Sequence, residues 1–109
     1  MTWDPIRPEF HELIHVPTRL RITAALATAA ELEFSALEDS LGISTSLLSK
    51  QLKALADAGY VALEKRPQPF GRPRTWLRLT PAGRLAYLQH VEALKQLVGG
   101  ALPPQREQP

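Results

Sequence analysis

Between Pro17 and Ala29 the apolar positions Ile22, Ala25, Leu26 and Ala29 recur at i, i+3, i+4 and i+7, which predicts a helix with one stripe turned to a core. Pro17 fits the first turn of that helix, where its missing N–H has no partner to lose. Upstream, Phe10, Leu13 and Ile14 mark a shorter helix from about Glu9 to His15. Downstream, Glu31-Leu32-Glu33-Phe34 alternates polar and apolar and reads as a very short strand. Ser35-Ala36-Leu37-Glu38 has the spacing of a capping box and opens a helix with Leu37 and Leu41 inward. Gly42 stands where that helix needs a left-handed residue to stop. Ser44 is placed to cap another helix at once, with Leu48, Leu52 and Leu55 on its buried face and Gly59 beyond its end.

Two helices separated by so short a turn are a helix-turn-helix by spacing. The period then switches to two: Tyr60 to Arg66 alternates, Pro67-Gln68-Pro69-Phe70-Gly71-Arg72-Pro73 is rich in turn residues, and Arg74 to Thr80 alternates again. This predicts a β-hairpin with a long tip. Thr80 and Pro81 have the types favoured at the cap and first turn of a last helix. Its apolar positions, from Leu85 through Tyr87, Leu88, Val91, Leu94 and Leu97 to Val98, form a stripe wider than one small domain needs to cover. Gly99-Gly100 is expected to end it, leaving a polar, proline-bearing tail over 99–109 that is expected to be disordered. The fold class is mainly α within α+β: a winged helix-turn-helix over 1–98, with a two-stranded wing and terminal helices at about 9–15 and 81–98.

A chain of 109 residues holds one domain, because a second would leave neither half enough core. The longest clean apolar stretch, Ile22 to Ala30, is too short to span a membrane. The opening residues MTWDPIRPEF lack the basic and apolar regions of a leader, so none is expected. With no cysteine the sequence has no disulfide, thiolate ligand or thiol nucleophile, and a cytoplasmic protein is expected. The net charge of +2 hides an asymmetry: residues 1–40 carry three basic and seven acidic side chains, and residues 41–84 carry eight basic and two acidic. A basic middle on a nearly neutral chain suggests one face addressed to a polyanion.

At Ile43-Ser44-Thr45-Ser46-Leu47-Leu48-Ser49-Lys50-Gln51-Leu52, with Leu55 and Ala58-Gly59-Tyr60-Val61 after it, the chain resembles winged-helix transcriptional regulators of the MarR/ArsR-like type, in their short single-domain form. These residues look like the recognition helix and its glycine exit. Gly71-Arg72-Pro73-Arg74 and Leu79-Thr80-Pro81-Ala82-Gly83-Arg84 resemble the wing tip and the start of the final helix. The resemblance covers about residues 16–98. It implies sequence-specific binding of double-stranded DNA by a homodimer, with repression as the default and a small-molecule effector as an option.

The residue chemistry agrees with that implication. A helix that buries leucines on one side and offers small polar and basic groups on the other fits a major groove. The candidates there are Ser44, Thr45, Ser46, Ser49, Lys50, Gln51 and Lys53, with Lys50 suited to a guanine edge and Gln51 to adenine. On the wing, Lys65, Arg66, Arg72 and Arg74 are placed to meet phosphates or a minor groove. Phe70 is unusual in so polar a tip: it either folds back on the hairpin or touches the partner. The surplus apolar stripe assigns a dimer interface to Phe10, Leu13, Ile14, Leu88, Val91, Leu94 and Val98. Trp3, Tyr60, Trp76 and Tyr87 are the aromatics an effector pocket could use.

His11 and His15 lie one helical turn apart, and with His90 they are the residues a metal could use; none is expected, and no cofactor. The sequence has no phosphate-binding glycine loop, serine nucleophile elbow or carboxylate cluster suited to catalysis, so an enzyme is not expected. The alternative is a winged-helix protein-interaction module that does not bind DNA and works through its acidic first forty residues and its apolar terminal helices.

Overall fold

The computed structural model describes residues 5–101, which form five helices and a small antiparallel sheet. Helix α1 is Glu12–His15, α2 is Pro17–Thr28, α3 is Phe34–Leu41, α4 is Thr45–Asp57 and α5 is Pro81–Ala101. The strands are β1, Leu32–Glu33; β2, Val61–Arg66; and β3, Arg74–Leu79. Ile22 and Leu26 of α2, Leu37 of α3, Leu48, Leu52 and Leu55 of α4, Val61 of β2, and Leu77 and Leu79 of β3 make one buried cluster. The leucine spacing of α4 therefore does what its periodicity predicts: one face closes the core and the other is left to solvent.

Helix α3 ends at Gly42, whose φ of 65° is the left-handed conformation that glycine adopts freely. Ser44 caps α4 by accepting from the Leu47 N–H at 3.1 Å. Thr80 caps α5 in the same way, accepting from the Gly83 N–H at 3.0 Å. The Ser35 capping box does not form. Glu33 is held in β1 opposite Trp76, so α3 starts two residues early at Phe34, with Ser35 already inside its first turn. The carboxylate of Glu38 instead accepts the hydroxyl proton of Thr45 and ties α3 to the start of α4.

Strand β1 is not isolated. It pairs with β3 at Leu32 opposite Leu77, so the sheet has three strands in the order β1-β3-β2 rather than the two of a simple wing. The β2–β3 register runs from Val61 opposite Leu79 to Arg66 opposite Arg74. Period two then puts Glu64, Arg66, Arg74, Trp76 and Glu33 on one face, while Val61, Leu77 and Leu79 point to the core.

The N-terminal helix is shorter than its apolar pattern suggests, because residues before Glu12 are extended and spend their backbone groups on α5. The Glu9 N–H donates to the Gln89 carbonyl at 3.1 Å, and the His11 N–H donates to His90 Nδ1 at 3.0 Å. His90 is fully buried, and its Nε2 lies 3.1 Å from His15 Nδ1. Since Nδ1 accepts from a backbone N–H, the neutral His90 ring carries its proton on Nε2 and donates it to His15. Phe10 closes the group, with its ring centroid 4.7 Å from those of both His15 and His90. Glu9 lies nearby, its carboxylate 3.3 Å from His11 Nε2. Helix α5 continues through Gly99 and Gly100 to Ala101, so the glycine pair does not end it; the rest of the anticipated tail lies outside the described residues.

Gly83 and Gly99 call for opposite outcomes from one substitution. At Gly83, in the first turn of α5, a Cβ would collide with the Tyr60 carbonyl, whereas at Gly99 it would enter open space. Gly83→Ala is expected to lower the stability by about 1–3 kcal/mol. Gly99→Ala is expected to leave it unchanged or raise it by up to about 1 kcal/mol. Urea unfolding of both variants reads the difference.

A second expectation concerns pH. Burial, and then the charges of His15 and His11, hold the His90 imidazole below its ordinary value of 6.5. The folded state therefore binds fewer protons than the unfolded one in the window just below that value. Stability is complete above pH 6.5 and falls as the pH drops through the window. The melting temperature should decline between pH 7.5 and 5.5. His90→Asn, which keeps an acceptor for the His11 N–H but cannot titrate, should flatten that decline; an equal slope in both proteins would remove His90 as its source.

Candidate nucleic-acid interface

Helix α4 presents its outer surface from the capped end onward. Ser44, Thr45, Ser46, Ser49, Lys50 and Lys53 are all exposed, as a groove-facing side requires. They are not equally available. Thr45 has committed its hydroxyl to Glu38, and Ser44 has committed its oxygen to the helix cap. Lys53 donates to Asp57 at 2.8 Å, an exposed i,i+4 pair of the kind that is worth little and that a phosphate can replace. Lys50 forms no ion pair among the described residues.

Gln51 is placed differently from its expected role. It is half-buried, and its Oε1 accepts from Arg19 Nε at 2.7 Å, while Arg19 also donates to the Leu13 carbonyl at 3.2 Å. Arg19 thus ties α2 to α4 through Gln51. Reading an adenine would require Gln51 to leave that partner, so here it is a positioning residue for the helix. The i,i+4 logic of a single helix could not reveal this bond, because Arg19 and Gln51 belong to different elements.

The wing divides its four cations into two pairs. Arg66 makes a two-pronged contact with Glu31, at 2.8 and 2.6 Å, and a further bond to Glu64 at 3.0 Å. Its guanidinium carbon also sits 5.0 Å from the centre of the Trp76 ring. These bonds to Arg66, and then its charge, hold the carboxyls of Glu31 and Glu64 below the usual carboxylate range. Arg74 donates to both oxygens of Glu33, at 3.0 and 3.1 Å, and its Nε donates to Gln68 at 2.6 Å. Arg66 and Arg74 therefore brace the sheet's outer face rather than stand open to a phosphate. Lys65 and Arg72 are exposed, and among the described residues neither forms an ion pair.

The anticipated dimer surface also divides. Ile14 is fully buried within the chain, so it is core and not docking surface. Leu13 packs against the main cluster. Phe10, Leu88 and Val98 are exposed, and Val91 and Leu94 are half-exposed. Leu85 is exposed on the Leu88 side of α5, whereas Leu97, 61% exposed, lies on the side opposite Leu88. Among the described residues no pocket opens in the single chain, and Trp3 lies outside them. His11, His15 and His90 do converge, but both His90 nitrogens are engaged inside the protein. No group of three potential ligands among the described residues is disposed to hold a metal. No helix among these residues is long and apolar enough to cross a membrane.

Comparison with known proteins agrees with this arrangement. A family model described as winged helix DNA-binding domain matches residues 18–98. An uncharacterized protein of Methanocaldococcus jannaschii is 30% identical over 79 residues, which are 72% of this chain and 85% of that protein. A transcriptional regulator homologue from Pyrococcus horikoshii superposes with a TM-score of 0.75 at 25% identity, covering 82% of this chain and 87% of its own. NadR, solved in complex with 4-hydroxyphenylacetate, superposes with a TM-score of 0.67 at 27% identity, over 83% of this chain and 62% of its own length.

Proposed function

Since this chain belongs to the winged helix DNA-binding domain family, a family of DNA-binding domains rather than of enzymes, we propose that it is a homodimeric transcriptional regulator that binds double-stranded DNA sequence-specifically. The observation that carries this reading is α4 itself. Its leucine face is locked into the core, its first turn is capped, and its outer face offers a groove Ser46, Ser49 and Lys50, the last with no ion pair among the described residues. Lys50 reads a base edge, with guanine as the matching acceptor pattern. Lys65 and Arg72 on the wing take phosphates, and Lys53 joins them by exchanging Asp57 for DNA.

The second copy docks on the apolar surface formed by Phe10 and the outward side of α5, which stands exposed among the described residues. Two-fold pairing there sets two recognition helices about 34 Å apart, one turn of B-DNA. The mode of regulation in this reading is repression by occupying a promoter. The likeness to NadR supports regulation by a small molecule. Because no pocket opens among the described residues of the single chain, such a site would form between the copies. A cytoplasmic location is part of the same proposal.

Fluorescence anisotropy with the DNA upstream of the protein's own gene and with a scrambled duplex, each across a salt series, tests the reading. Tighter binding to the native fragment is expected, with a steep salt slope for both. Lys50→Ala should erase most of the preference, worth about 1–3 kcal/mol at the contacted base. Arg72→Ala should weaken both duplexes alike and reduce the salt slope by about one. No binding to either duplex at low salt would transfer the function to the protein-interaction module.

Light scattering tests the assembly separately. The expected mass is twice the 12.1 kDa of the chain. Leu88→Asp combined with Val98→Asp should return it to one chain mass without unfolding the domain, since both side chains are exposed.

A further inference from the structure

The DNA reading leaves Phe70 unexplained. This side chain is 89% exposed, the most exposed of the large apolar residues described, and it sits at the tip of the β2–β3 loop. It does not fold back on the hairpin. The loop holds it outward: Gln68 Nε2 donates to the Arg72 carbonyl at 2.7 Å across the turn, and Arg74 Nε donates to Gln68 Oε1 at 2.6 Å. Arg74 is itself fixed to Glu33, so the brace runs from the sheet to the tip. Gly71 supplies the φ of 86° that the turn needs, and Pro67, Pro69 and Pro73 limit the backbone on either side.

A loop braced in this way offers its phenyl ring to an apolar partner, and the neighbouring charge defines that partner's chemistry. Of the four basic side chains in residues 65–74, Arg66 and Arg74 are paired with glutamates, which leaves Lys65 and Arg72 beside the ring with no ion pair among the described residues. The partner is therefore anionic on its surface and apolar just beneath it. Duplex DNA has both properties in one place, a phosphate rim over stacked base faces. An anionic lipid surface shares them, but one ring on a narrow tip buries too little area to anchor in a bilayer.

We propose that Phe70 is a minor-groove wedge, entering beside Arg72 and partly unstacking a base step as the wing settles on DNA. This inference rests on the DNA reading above and adds to it a specificity element away from α4. Apolar wedges of this kind kink the duplex, and pyrimidine–purine steps yield to them most easily. The wing would then favour a flexible step at a fixed distance from the bases that Lys50 contacts.

The test uses the full chain and the upstream fragment, with fluorophores at both duplex ends so that energy transfer reports bending. The parent should bind and bring the ends closer. Phe70→Ala should bind about tenfold or more weakly and lose the bend, with the salt slope and melting temperature unchanged, because no charge and no core contact is removed. Phe70→Trp, which keeps a flat apolar ring, should restore both affinity and bend. Parent-like binding and bending by Phe70→Ala would overturn the wedge while leaving the DNA reading intact. A parent that binds no duplex would overturn that reading first, and the wedge with it. Capture by phosphatidylglycerol vesicles that depends on Phe70, with DNA binding unaffected by its loss, would assign the ring to a lipid surface instead.

Discussion

Leu48, Leu52 and Leu55 are buried against Ile22, Leu26 and Leu37, and that packing settles the rotation of α4 about its own axis. A helix with three leucines at i, i+4 and i+7 has one low-energy way to meet a small core, since any other rotation strips apolar surface bare at about 25 cal/mol per Å². Once the inner face is committed, the outer face is determined by subtraction. Lys50, Ser46 and Ser49 point outward because Leu48 and Leu52 cannot. Arg19 reinforces the same rotation from α2 through Gln51, and Glu38 does so from α3 through Thr45. The side chains offered to a groove are thus held by packing and hydrogen bonds that lie behind them, as precise presentation on a rigid element requires.

The wing obeys a comparable division. Alternation along β2 and β3 sends every second residue to the sheet's outer face, and the register brings Glu64, Arg66, Arg74, Trp76 and Glu33 together there. Opposite charges side by side on that face support the three-stranded pairing. The same pairing carries rigidity outward, because Arg74 joins Glu33 to Gln68 and Gln68 closes the tip. A loop of seven residues between strands would otherwise be free to swing, and whatever it touched would have to bear the entropy of ordering it.

How much of this was legible in the sequence follows from how local each signal is. The buried leucines, the stops at Gly42 and Gly59, the caps at Ser44 and Thr80 and the hairpin all lie within a few residues of the groups that determine them. Pattern reading reached every one. The capping box failed because the pairing of Glu33 with a strand more than forty residues away decided where α3 begins. The end of α5 failed for a simpler reason: glycine weakens a helix without forbidding it. The extended segment before α1 was hidden because its partners are on α5, at the other end of the chain. The roles of Gln51, Arg66 and Arg74 were hidden in the same way. Each has a side chain suited to DNA, and each is engaged by a group that no spacing rule connects to it.

Those engagements change what the charge asymmetry means. Read along the chain, an acidic first forty residues beside a basic middle suggests a protein with two oppositely charged faces. In the folded chain, Glu31 and Glu33 from the acidic part sit on Arg66 and Arg74 from the basic part. Much of the asymmetry is therefore internal pairing, and the cations left near α4 and the wing tip are Lys50, Lys65 and Arg72. With Lys50 given to a base edge and Lys53 released from Asp57, two copies would offer about six phosphate-contacting cations (Lys53, Lys65 and Arg72 from each), which still reaches the range that gives DNA binding a steep salt dependence. In the proposed function, arginines paired on the sheet add less attraction that is blind to sequence, so a larger share of the binding energy would come from contacts that differ between sequences. A regulator that must leave most DNA and remain on one site gains from that balance, because discrimination depends on the ratio of specific to non-specific affinity and not on the total.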